Sequence, residues 1–239
     1  MTKLIAFLLL QDTVHILTKL RNRLLKPDAF LPMGTFVASA SHLRHVVETE
    51  PRLTHNLTMT DLNNKDRMNF RAVTRMTSDA VLECVRKVPE SDGTLAYLQI
   101  MQDVMDSYLS ETLASDRRVF LVWRALFFLR RWRHWLQLEG HSVTDSFVSA
   151  NAYVCVEVNA HCLVLAIRRL REEGTPEYFL PHLFSSQPCE SAFRDARSQS
   201  TTRATVINFS MQGMLQRGRR IELQGAIASQ LGHEFAFLR

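Results

Sequence analysis

The sequence predicts a mainly α chain, a multi-helix bundle preceded by a short α/β element. The unbroken apolar run Leu4-Ile-Ala-Phe-Leu-Leu-Leu10 reads as a strand buried on both faces. From Asp12 onward, apolar residues recur at helical spacing in one segment after another, punctuated by Pro and Gly. With 46% hydrophobic and 22% charged residues over 239 positions, the chain can bury a sizeable core, and its composition argues against general disorder.

Asp12 stands where the strand gives way to a basic helix carrying Val14, Leu17, Leu20 and Leu24, which Lys26-Pro27 ends. An Asp here has two readings. It is a favoured N-cap, accepting backbone N–H bonds, and it is a hard-cation ligand placed at the mouth of a sheet. Pro32-Met-Gly34 reads as a loop, and Phe36 to Val47 as a helix with Val37, Ala40, Leu43 and Val47 on one face. The polar stretch Leu57 to Asp66 leads into a helix with Met68, Val73, Met76, Ala80, Leu82 and Val85 on its apolar side. Asp61 and Asp66 are expected to cap its start. Pro89 to Gly93 breaks that helix, and Thr94 to Leu109 follows with a broad apolar stripe.

Asp116 to Leu138 predicts a long helix with a heavy aromatic load. Phe120, Trp123, Phe127, Phe128, Trp132 and Trp135 read mostly as core, with Trp132 and Trp135 able to border a groove. Arg117, Arg124 and Arg131 recur every seven residues as a basic stripe, with no acid between Asp116 and Glu139. That stripe is either a phosphate-facing surface or a solvated face. Val148 to Leu170 is a second long apolar helix. Asn151, Glu157, Asn159 and His161 interrupt it, which favours a bundle helix over a bilayer span, so no membrane partner is expected.

Arg168 to Gly174 ends that helix with basic side chains and a glycine. Pro188 then fits the first turn of a further helix, which places Glu190 near its third position and Arg194 and Arg197 on the following turns. Glu190 has the same two readings as Asp12, dipole complement or ligand. Ala204 to Leu215 reads as a helix leading to the basic run Arg217-Gly-Arg-Arg220.

Cys84, Cys155, Cys162 and Cys189 show neither Cys-x-x-Cys pairing nor a zinc pattern, so free thiols in an intracellular setting, nuclear or cytoplasmic, are expected. The run from Met1 to Leu10 lacks a small-residue cleavage site and leads straight into a charged helix, which argues against a signal peptide. A net charge of +5 and a pI of about 9.3 suit an anionic partner such as nucleic acid.

Two windows carry a family resemblance. Asp12-Thr-Val-His15-Ile-Leu-Thr18-Lys19-Leu-Arg21-Asn22 resembles the Asp-x-x-His-hydrophobic-x-Lys-x-x-Arg-Asn segment of P-element-like transposases and their THAP-type relatives. Thr18 stands where the family has Lys, and Lys19 comes one residue later. Phe184-Ser-Ser-Gln-Pro-Cys-Glu190-Ser-Ala-Phe-Arg194-Asp-Ala-Arg197-Ser198 is similar to the segment around the family's final Glu.

The resemblance implies a multi-helix bundle inserted in an incomplete RNase H-like α/β domain. Residues 1–25 would be the strand and helix carrying Asp12, 26–183 the helical insertion, 184–217 the helical segment carrying Glu190, and 218–239 a tail. In this family the two acids are the second and third members of an Asp-Asp-Glu triad holding Mg²⁺ or Mn²⁺ for phosphodiester cleavage or strand transfer. Lys19, Arg21, Arg194 and Arg197 are then expected phosphate contacts. GTP in the insertion is implied by the resemblance alone, since no Gly-x-x-x-x-Gly-Lys-Ser/Thr loop is present.

None of the eleven residues before Asp12 is acidic, so the triad's first Asp has no counterpart, and no Cys/His cluster matches the family's zinc-bound DNA-binding module. The expectation is a transposase-derived fragment or domesticated remnant that binds DNA or self-associates as a homo-oligomer, catalytically incomplete alone. A helical protein-interaction module competes with it, and an enzyme completed by a second chain is a third reading.

Overall fold

A computed structural model describes residues 10–175, 179–183, 212–213, 215–220 and 222–223. The chain divides into two compact units, Met1–Phe184 and Ser185–Arg239. The first runs α1 (Thr13–Leu24), β1 (Leu31–Met33), β2 (Phe36–Ala38), α2 (Ala40–Thr49), α3 (Arg52–His55), a 3₁₀ turn at Met59–Leu62, α4 (Phe70–Met76), α5 (Asp79–Arg86), α6 (Asp92–Leu109), α7 (Ser115–Leu138), α8 (Val143–Ser146), α9 (Ala150–Glu172) and a 3₁₀ turn at Pro181–Leu183. In the second unit the described residues are helical. The protein is mainly α. The expected strand lies, apart from Leu10, outside the described residues, as do Glu190, Arg194 and Arg197.

The first unit is built around α6, which packs against α7, β2, α1 and α5, while α7 and α1 also meet α9. Buried Leu17, Leu20, Tyr97, Leu98, Met101, Val122, Leu126, Leu129, Val156 and Leu163 join in one core, the apolar stripes of four helices closing on each other. Gly93, in the first turn of α6, permits the close crossing of β2: a Cβ there would lie 2.8 Å from the carbonyl carbon of Val37.

Three segments depart from the sequence reading. Pro32-Met-Gly34 is part of an antiparallel hairpin in which Leu31 faces Ala38 and Met33 faces Phe36. Gly34 turns it at φ +65°, and Trp132 Nε1 donates to Pro32 O (2.6 Å). The following helix therefore starts at Ala40, capped by the Ser39 side chain on Ser41 N, and not at Phe36. The expected single helix through Met68 to Val85 is two helices, because Thr77 and Ser78 hydroxyls bond back to Val73 O and Arg75 O, and Ser78 then caps α5.

α9 is long and apolar enough by composition to cross a membrane, yet 56% of its 18-residue apolar window is buried in this protein. Its buried Asn159 exchanges hydrogen bonds with the main chain of Gln11. Such satisfied polar groups belong to a bundle interior.

Candidate functional site

Asp12 caps α1. Its Oδ1 accepts from Val14 N (2.8 Å), and its Oδ2 lies 3.1 Å from His15 Nδ1, so the histidine orients the carboxylate. Among the described residues no group of three or more His, Cys, Asp and Glu side chains is placed to hold a metal. Glu190, the second acid of the expected Mg²⁺ or Mn²⁺ pair, lies outside those residues.

The basic residues expected around Asp12 separate into different roles. Lys19 is exposed and its Nζ donates to Asn151 Oδ1 (2.5 Å) on α9. Arg21, expected at phosphate, is fully buried. Its guanidinium donates to Asp61 O (2.8 Å), Asn63 O (3.0 Å) and Asp66 O (2.8 Å), tying the loop before α4 to α1. Burial pulls its pKa below the ordinary value against the opposing pull of Asp66 and Asp61. Arg21 is thus a structural cation with no surface for a phosphate. Asp61 caps a 3₁₀ turn, accepting from Thr58 N (2.9 Å), and pairs with Arg75 (3.0 Å), while the start of α4, where Asp61 and Asp66 were expected, is capped by Asn69 on Ala72 N (2.8 Å).

The outward face of α7 is where cations and rings collect. Arg117, Phe120, Arg124, Phe127, Phe128 and Arg131 are all exposed, with Phe120 at 50%, Phe127 at 57% and Phe128 at 38%. The three phenylalanines are therefore a correction to the expected core, which keeps Trp132 and leaves Trp135 partly covered. Arg117 lies over the Phe120 ring at 4.8 Å, and Arg124 over the same ring at 5.5 Å.

These arginines are not equivalent. Arg124 reaches the buried carboxylate of Asp103 through Nε (2.7 Å) and Nη2 (2.5 Å), a bond that raises its pKa. Arg117 and Arg131 make no ion pair among the described residues. Arg131 borders a shallow cavity of about 260 Å³ with Met33, Phe128, Trp132 and Trp135, the groove anticipated for the two tryptophans. Neighbouring Arg130 pairs with Glu157 of α9.

Arg118 escaped the sequence reading. It is buried and gathers Ser107 O (3.0 Å), Ser110 O (2.5 Å) and Leu113 O (2.8 Å), satisfying carbonyls at the end of α6. Its place on the same side of α7 as Leu121, Val122 and Ala125 was the available signal. Asp103 was hidden for the converse reason, as an acid within an apolar stripe.

No family model, curated protein or solved structure matches the chain.

Proposed function

We propose that this chain is a transposase-derived remnant whose helical body binds nucleic acid along the outward face of α7. The reading rests on one observation: Arg117 and Arg131, without ion pairs among the described residues, stand on an exposed face interleaved with Phe120, Phe127 and Phe128. The two arginines span about 21 Å of helix at 1.5 Å per residue. Cations at this spacing meet phosphates along a strand, while exposed rings offer stacking surfaces to unpaired bases.

In the same reading Asp12 and Glu190 correspond, by resemblance, to two acids of an Asp-Asp-Glu metal site, and the chain is catalytically incomplete alone. In the structure the Asp12 carboxylate is engaged in capping α1. Titration of fluorescently labelled single- and double-stranded DNA, followed by anisotropy across a salt series, tests the binding. Affinity falling steeply with salt supports it, and no binding at low salt contradicts it.

The second reading, a helical protein-interaction module, is favoured by the apolar content of the same helix, where Leu138 is 72% exposed beyond the phenylalanines. Binding to a protein partner through α7, insensitive to added DNA, would support that reading over the first.

A further inference from the structure

A separate cavity of about 300 Å³ opens where the start of α9 meets α1, α7 and α8. Its apolar walls include Val143, Val148 and Val154, and Phe147 and Tyr153 supply rings beside them. Two cations line it, Arg23 from α1 and Arg133 from α7. Ser149 and Ala150, the cap and first residue of the 23-residue α9, line it as well, so the positive end of a long helix faces the same space.

The two arginines are differently held. Arg133 is exposed and lies over the Tyr153 ring at 5.2 Å. Arg23 donates through Nη2 to Thr144 O (2.9 Å), and its buried Nε meets no acceptor among the described residues. A buried guanidinium N–H without an acceptor is rare, because leaving a charged donor unmet is costly. Lys19, one turn before Arg23 on α1, adds a third cation at the first turn of α9 through its bond to Asn151. The acid nearest in sequence, Asp145, accepts from Ser142 Oγ (2.8 Å) and does not line the cavity.

We infer that this cavity is a binding site for a small phosphate monoester with a flat apolar body. The helix end and the two lining arginines suit a compact dianion. The walls suit one ring, since about 300 Å³ is the lower end of small-molecule sites. Arg23 and Arg133, which both line the cavity, supply the guanidinium donors for the ligand's oxygens. The assignment goes beyond nucleic-acid binding and does not depend on it, because the cavity excludes Arg117 and Arg131.

The test uses the full chain and phenyl phosphate as probe, with inorganic phosphate, phenol and benzoate as comparisons, followed by calorimetry and by ¹H–¹⁵N NMR. Phenyl phosphate should saturate one site and bind at least about tenfold tighter than each comparison. It should also shift the amide of Ala150 and the Nε–H resonance of Arg133. Exchanging the exposed Arg133→Met should weaken it about tenfold with the circular dichroism spectrum unchanged, and Arg23→Lys, which keeps the charge but loses the guanidinium fork, should weaken it similarly. No saturable binding, benzoate or phenol binding as tightly as phenyl phosphate, or an unchanged affinity in Arg133→Met would each overturn the assignment.

Discussion

Asn159 and Gln11 exchange two hydrogen bonds: Gln11 N donates to Asn159 Oδ1, and Asn159 Nδ2 donates to Gln11 O, each at 2.8 Å. The amide side chain does for one residue of main chain what a neighbouring strand does for many, and it pins the entry of α1, with Asp12 next in line, onto α9. Replacing Asn159 by Ala leaves both backbone groups unmet in a part-buried setting. The expected cost is about 1–3 kcal/mol, read as a lower urea midpoint at unchanged slope.

The capping role of Asp12 is tested by stability. As an N-cap it should tolerate Asn, which caps equally well, whereas Asp12→Ala should cost about 1 kcal/mol in urea denaturation. An Asp12→Asn variant as destabilised as Asp12→Ala would show that the carboxylate charge, and not the cap, is what the fold uses.

For Arg21 the expectation reverses the role drawn from the resemblance. Arg21→Met strands the carbonyls of Asp61, Asn63 and Asp66, and should lower stability by at least about 3 kcal/mol. Whatever fraction remains folded should bind DNA as the parent does. Selective loss of DNA binding without loss of stability would return Arg21 to the phosphate-contact role.

The hairpin was unreadable in the sequence because three-residue strands are too short to display alternation, and Pro32 and Gly34 there read as a loop. α1, α6, α7 and α9 were legible because their apolar periodicity is long. Which face of α7 pointed outward was not, since six aromatic residues are spread along the helix and only packing against Tyr97 of α6, Pro32 of the hairpin and Phe147 selects Trp132 for burial over Phe127. Arg21 and Arg118 show the same limit. A basic residue in a basic segment looks solvated until the carbonyls it must satisfy are brought to it from other parts of the chain.

His42 gives the structure a pH response. Desolvation lowers its pKa below 6.5, with His45 acting in the same direction and Glu90 opposing. Its Nδ1 lies 2.7 Å from Thr94 Oγ1. Below pH 6.5 the unfolded chain therefore takes up a proton before the folded one, and stability falls as pH drops from 6.5 to the folded-state value. Urea midpoints measured at neutral pH and at about pH 5.5 should differ less in His42→Gln than in the parent. An equal difference in the two proteins would remove His42 as the cause.

The central claim, nucleic-acid binding through the outward face of α7, is tested most directly by comparing the parent with an Arg117→Gln, Arg131→Gln double variant in anisotropy titrations of labelled DNA over a range of salt. Both residues are exposed, so the fold should be unaffected. The account predicts weaker binding and a slope of log affinity against log salt shallower by about 2, one for each phosphate contact removed. DNA binding with unchanged affinity and slope in the variant would contradict it.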